Sequence, residues 1–157
     1  MNIEIRGVAR AIVFHPKSKK ILLVKNYGQN FWHPPGGGWH VDQENIKSCA
    51  RREVLEETGL KIKKLKLIYC QEFHSEPRVV FLETFWFTEY KGKTFLDHSR
   101  LDIDGKVEKV GWFSKQEIKK ITVYPTVLRK KFWKNTRAIS QGHDTFLGVV
   151  KRVTNKT

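Results

Sequence analysis

Cysteine is nearly absent: Cys49 and Cys70 are the two in 157 residues, and they are not in CxxC spacing. That argues against a disulfide framework or a cysteine zinc site and predicts two reduced, buried thiols. No apolar run approaches the ~18 residues a membrane helix needs, so no membrane is expected as a partner. The opening Met1-Asn2-Ile3-Glu4-Ile5-Arg6 lacks a basic stretch followed by a long apolar one, so no secretory signal is expected and a cytoplasmic location is. With 11 Gly and 5 Pro, the composition is not that of a fibrous or disordered chain. No repeat, low-complexity tract or linker interrupts the sequence. One domain over residues 1–157 is expected, with the basic segment 128–157 either part of it or an extension.

Acidic residues are also scarce. Thirty Lys+Arg against 16 Asp+Glu give a formal charge of +14. About half of the excess lies from Leu128 onward, where Arg129, Lys130, Lys131, Lys134, Arg137, Lys151, Arg152 and Lys156 face a single acid, Asp144. Such a surface keeps a protein in solution. It also attracts nucleotides or an RNA end. The segment has no interleaving of aromatics and arginines beyond Phe132-Trp133, so a dedicated RNA-binding motif is not indicated.

Alternation and turn residues predict strands over 5–14 and 20–25, then a Gly/Pro-rich loop over 26–42. A helix follows from Asn45 to Thr58, ended by Gly59 where a left-handed residue is commonly required. Further strands are predicted at 62–73, 78–89 and 107–113, with short helices at 115–120 and 126–135. Strands alternating with one long central helix imply an α/β or α+β sandwich.

On that helix, positions 46, 49, 50, 53, 56, 57 and 60 return to one side. Ile46, Cys49, Ala50 and Leu60 are apolar, but the other three are Glu53, Glu56 and Glu57. Carboxylates ~5–6 Å apart repel by roughly 3 kcal/mol at an effective dielectric of ~20. Arg52 can compensate one of them. The rest imply either a solvated acidic patch or a hard divalent cation, since Mg²⁺ takes carboxylate oxygens and completes its shell with water and phosphate. The glycines ahead of the helix allow close backbone approach to an anion, which favours the second reading.

Gly38, five residues, Glu44, seven residues, then Arg52-Glu53-Val54-Leu55-Glu56-Glu57-Thr58-Gly59-Leu60 matches the Nudix box, G-x5-E-x7-R-E-U-x-E-E-x-G-U, at every specified position. Seven of those positions name one residue type; at about 1 in 15 each, a chance match is on the order of 10⁻⁶. The chain therefore resembles the Nudix hydrolases. Trp32-x-x-Pro35-Gly36-Gly37 resembles the family's loop ahead of the box, and Glu108 to Ile118 its late strand and short helix. Two departures stand out: one extra glycine before the box, and Val41 where many members carry a glutamate.

The resemblance implies an α/β fold, a Nudix-like α/β/α sandwich with a mixed sheet and the box as loop-helix-loop. It implies hydrolysis of a diphosphate bond with Mg²⁺ or Mn²⁺. By position, Glu53, Glu56 and Glu57 become metal ligands, one of them a candidate general base, with the Gly37 carbonyl a further candidate ligand. Arg52 becomes the group that holds a glutamate in place, and Glu44 either orients Arg52 or serves an extra metal. Glu108 is the candidate acid outside the box, with Glu72, Glu76 and Glu83 as competitors. Phe31 and Trp32 are candidates to flank the substrate, whereas Trp112 and Phe113 are expected in the core. The six histidines show no metal spacing.

Substrate choice is not written in the box. The candidates are ADP-ribose or a nucleotide sugar, a nucleoside triphosphate, and a 5′-phosphorylated RNA end. A non-catalytic nucleotide- or nucleic-acid-binding module is the alternative of a different class.

Overall fold

A computed structural model describes residues 2–97, 105–134 and 146–151. Its elements in chain order are β1 (Glu4–His15), β2 (Lys20–Asn26), β3 (Gly36–Gly38), α1 (Ile46–Thr58), β4 (Lys66–Glu76), β5 (Val79–Glu89), β6 (Val107–Ser114), α2 (Lys115–Ile118), a 3-10 turn (Thr126–Arg129), α3 (Lys131–Lys134) and β7 (Phe146–Lys151). The strands form one mixed sheet in the order β6-β2-β1-β5-β4-β7, with β3 also paired to β1.

β1 organises the sheet. It runs parallel to β5 along almost its whole length. Its other edge is shared, β2 taking Phe14 and His15 and β3 taking Val8 to Arg10, both antiparallel. Period-two alternation then sends Ala9, Ala11 and Val13 to one face and Ile12 to the other. On the first face α1 packs through Cys49, Ala50 and Val54 against those three residues, small side chains that permit a close approach. On the second face Ile118, Val123, Leu128 and Phe132 cover Ile12, Leu23 and Phe85. The result is the expected α/β/α sandwich. Of the two thiols, Cys49 is buried, Cys70 is half-buried, and both are free.

The long helix lies where its capping residues demand. The Asn45 side chain accepts from the Ser48 backbone N–H at 2.9 Å. Gly59 closes the far end at φ 73°, its N–H donating to the Leu55 carbonyl.

Four elements differ from expectation. Residues 62–65 are not strand, because Ile62 and Leu65 both turn into the core and Arg51 grips the Lys63 carbonyl from Nε and Nη2 at 3.0 and 2.8 Å. The helix expected over 126–135 splits into the 3-10 turn and α3. Gly36–Gly38 is a strand rather than loop, since three residues without side chains can lie flat beside β1. β7, inside the basic segment, pairs parallel with β4. Arg137, Arg152, Lys156 and Asp144 of that segment lie outside the described residues.

Candidate active site

The core-facing side of α1 is Cys49, Ala50, Val54 and Thr58, so the helix is rotated slightly from the face the spacing suggests. Glu53, Glu56 and Glu57 then lie on its shoulder, half-buried, with Glu53 and Glu57 turned toward β3. Arg52 gathers two of them: its Nη1 donates to Glu53 Oε1 at 2.9 Å and to Glu56 Oε2 at 3.2 Å. The same guanidinium grips Glu44 with two parallel bonds, Nε to Oε2 at 3.0 Å and Nη2 to Oε1 at 2.7 Å. Nη2 also reaches the Gly38 carbonyl at 3.1 Å. Of the two roles open to Glu44, the geometry matches that of orienting Arg52.

β3 supplies the opposite wall. A side chain at Gly37 would place its Cβ 2.5 Å from Glu53 Oε1 and 2.7 Å from its carboxyl carbon, so the glutamate lies against bare backbone. At Gly36 a Cβ would press into the Ala9 carbonyl and come within 2.5 Å of Arg10 Cα. The Gly36 N–H donates to Glu57 Oε2 at 3.3 Å. Gly37 itself is registered opposite Ala9, with its carbonyl 3.7 Å from Cys49 Sγ.

These contacts set the charges. Burial pushes the Glu53 carboxyl up, against the pull of Arg52 beside it. Hydrogen bonds from Arg52 hold Glu44 below the usual carboxylate range, and bonds to Glu44 hold Arg52 above its ordinary value. Burial pushes the Cys49 thiol up to about 12, so it is an inert packing group rather than a nucleophile. Among the described residues no three His, Cys, Asp or Glu side chains converge into a ready cage for a metal ion. Mg²⁺ does not require one. It is usually bound by one or two carboxylates with waters and substrate phosphates, and the oxygen-only donor set of Glu53, Glu56 and Glu57 fits such a hard cation.

On the other face of the sheet, beside β3, a cavity of about 1490 Å³ opens between the strands and the C-terminal helices. Its rim carries Lys119, Arg129, Lys130, Lys131 and Lys151. Its floor is polar: Glu83 accepts from Arg10 Nε at 3.2 Å and from Gln71 Nε2 at 2.5 Å, with Gln71 and Glu83 both buried. Phe31 lines the wall and meets Tyr124 edge-on at 5.2 Å between centroids. Trp32 instead packs edge-on against Phe113 at 4.7 Å in the second core. Trp112 packs against the first core, as expected for it.

Of the acids considered outside the box, Glu83 is brought next to β3 through Arg10. Glu108 lies on edge strand β6, paired with Lys25 at 3.2 Å, and Glu72 pairs with His74. Glu76 is exposed at the end of β4. Sequence patterning alone did not single out Arg10. A signal for it existed: it alternates with Val8 and Ile12 on one face of β1, where the period demands apolar residues, and Glu83 interrupts the same face of β5 next to Phe85.

The NUDIX domain family model matches residues 5–133, and the chain belongs to the Nudix family. Members of this family generally use divalent metal cations. An RNA pyrophosphohydrolase of Actinobacillus pleuropneumoniae is 37% identical over 62 residues, which are 40% of this chain and 30% of that protein. The human protein named nucleoside diphosphate-linked moiety X motif 6 is 40% identical over 73 residues, 45% of this chain and 22% of that protein. The chain thus matches less than a third of the length of these curated relatives. A NUDIX hydrolase from Nitrosomonas europaea superposes with TM-score 0.63 at 21% identity, over 80% of this chain and 85% of that one, which shows the shared fold.

Proposed function

We propose that this chain is a Nudix pyrophosphohydrolase that cleaves a diphosphate bond in a nucleoside diphosphate derivative, such as ADP-ribose or a nucleotide sugar, or in a nucleoside triphosphate. The observation that carries this reading is the set of three shoulder carboxylates, two of them drawn together by Arg52, against the bare backbone of Gly36 and Gly37. Glu53, Glu56 and Glu57 are the residues that would hold Mg²⁺ or Mn²⁺, which when bound neutralises the diphosphate and makes water more acidic. The chain's own residues do the rest. Arg52, fixed by Glu44, orients Glu53 and Glu56. One of the three carboxylates accepts the proton of the attacking water as the phosphorus–oxygen bond to the bridging oxygen breaks. The cavity holds the remainder of the substrate, with Phe31 and Tyr124 offering apolar surface to a base.

A 5′-phosphorylated RNA end is a second reading. It is favoured by the clustering of Lys119, Arg129, Lys130, Lys131 and Lys151 round one cavity and by the named activity of the Actinobacillus relative. The return of β7 to the common sheet supports one domain. The cytoplasm, where two unpaired thiols persist, is the proposed setting.

The test is turnover of ADP-ribose, a nucleotide sugar, nucleoside triphosphates and 5′-triphosphate RNA with Mg²⁺ or Mn²⁺, the products being separated by chromatography. Cleavage at the anhydride that disappears with EDTA is expected. Undiminished turnover in a metal-stripped sample overturns the mechanism, and nucleotide binding without turnover makes the chain a binding module.

A further inference from the structure

Arg10 touches both the cavity floor and the β3 backbone beside the box. It comes from the middle of β1, on a face where its register would call for an apolar residue. Its guanidinium is anchored on the floor by Glu83, which Gln71 grips from the next strand. Its Nη1 lies 3.4 Å from the Gly36 carbonyl and 3.3 Å from His33 Nδ1. His33 is buried and stays neutral, its pKa pushed to about 3 by burial and by the charge of Arg10, so the guanidinium meets a neutral ring, whose Nδ1 also lies 3.0 Å from the Pro34 carbonyl, rather than a repelling cation.

The backbone at Gly36 is therefore held on both sides of its Cα. Arg10 takes its carbonyl, and Glu57 takes its N–H at 3.3 Å. The stem of Arg10 also lies directly beneath Gly36, where a Cβ would come within 2.6 Å of Arg10 Cγ. Displacing the Arg10 guanidinium removes the donor to the Gly36 carbonyl, one of the contacts that hold the backbone partner of Glu57. Burying a charged pair in a sheet face is unfavourable compared with apolar packing, and such pairs chiefly fix one arrangement among several.

We infer that Arg10 is a positioning residue: braced by Glu83 and Gln71, it sets the β3 backbone against which Glu57 is oriented, and so couples the cavity floor to the shoulder carboxylates. The inference rests on the proposed pyrophosphohydrolase reading for its kinetic consequence but not for its binding consequence.

The experiment compares wild type with Arg10→Met, Arg10→Lys and Glu83→Gln. Mn²⁺ affinity is measured by electron paramagnetic resonance without substrate, kcat and KM on the best substrate of the panel, and melting by circular dichroism. Groups that orient metal ligands typically change affinity or rate by ~10–100-fold. Arg10→Met is expected to keep a cooperative melt, to bind Mn²⁺ about tenfold more weakly and to lose about tenfold or more in kcat, with KM changed less than about threefold. Arg10→Lys restores the charge but not the fork and is expected to recover only part of either loss. Glu83→Gln loosens the brace and is expected to lie between wild type and Arg10→Met.

A lower melting temperature with unchanged Mn²⁺ affinity and kcat makes Arg10 purely structural and overturns the inference. A rise in KM alone makes it a substrate contact and overturns it as well. Should Arg10→Met not fold, the Lys and Gln variants decide by the same criteria. A wild type that turns over nothing on the panel but binds Mn²⁺ overturns only the proposed function, and the affinities of the variants then decide for Arg10. A wild type that binds no Mn²⁺ overturns both.

Discussion

Arg52 and Glu44 form a two-point pair, Nε to Oε2 at 3.0 Å and Nη2 to Oε1 at 2.7 Å, that leaves Arg52 Nη1 for Glu53 and Glu56. The arrangement divides the guanidinium: one edge is fixed by the start of the box, and the remaining nitrogen draws two carboxylates together. Glu44→Gln keeps the size of the side chain but replaces one charged acceptor with a donor facing a donor. The expected outcome is a ~10-fold or greater loss of kcat, with a smaller change in melting temperature, as Arg52 loses its fixed direction. Steady-state kinetics at saturating Mg²⁺ check it, and an unchanged kcat would mean that Arg52 needs no such support.

Glu57 accepts a hydrogen bond from the Gly36 N–H at 3.3 Å. Glu57→Gln retains an oxygen that can accept from that N–H but removes the charge a hard cation requires. Activity is expected to fall by roughly 10²–10⁴ while the fold is kept. Because Arg52 already pairs with Glu53 and Glu56, relief of repulsion is smaller than the ~3 kcal/mol of a bare carboxylate pair, so the metal-free variant should melt at or slightly above wild type. Added Mg²⁺ should then raise the melting temperature of wild type more than that of the variant. Near-normal turnover, or a variant unfolded without metal, would place Glu57 outside the machinery.

His33 predicts a pH dependence of stability. Its folded pKa is pushed to about 3, below the ordinary 6.5 of the unfolded chain, first by burial and then by Arg10. Between those values the unfolded state binds the extra proton, so stability rises with pH across this window and is lost as pH falls through it. From pH 7 to pH 5 the loss is about 2 kcal/mol at 1.36 kcal/mol per unit. Glu53 contributes with the opposite sign, since burial raises its pKa. The difference between the wild-type and His33→Gln urea-unfolding curves therefore isolates the effect. Parallel curves at both pH values would show that His33 is solvated or protonated in the native state.

The basic rim separates the two substrate readings. Arg129, Lys130 and Lys131 are exposed at the cavity edge. Changing all three to Gln is expected to leave kcat/KM for a mononucleotide within about threefold. On a 5′-triphosphate RNA the same change should weaken binding and flatten its dependence on salt by ~0.7 for each phosphate no longer neutralised. Equal weakening on both substrates would mean that the rim serves the diphosphate itself.

Much of this site is local in sequence, which is why it was legible there. The box lies within Gly38 to Leu60, its carboxylates share a helical side because successive turns return at fixed spacing, and Asn45 and Gly59 mark its ends by backbone chemistry alone. Alternation narrowed the class to an α/β or α+β sandwich, and the resemblance to the Nudix family implied the α/β/α form. What needed the tertiary structure was every relationship between distant segments. The helix rotation that buries Val54 and leaves the glutamates on the shoulder depends on which face meets Ala9, Ala11 and Val13. The pairing of three glycines with β1 depends on register, which local propensity does not carry. Arg10 and Glu83 are 73 positions apart and each reads alone as a misplaced charge in a strand. Only the parallel pairing of β1 with β5 makes them neighbours, and only that neighbourhood lets two charges be buried together, because an ion removed from water is tolerated when its counter-ion is held within hydrogen-bonding reach.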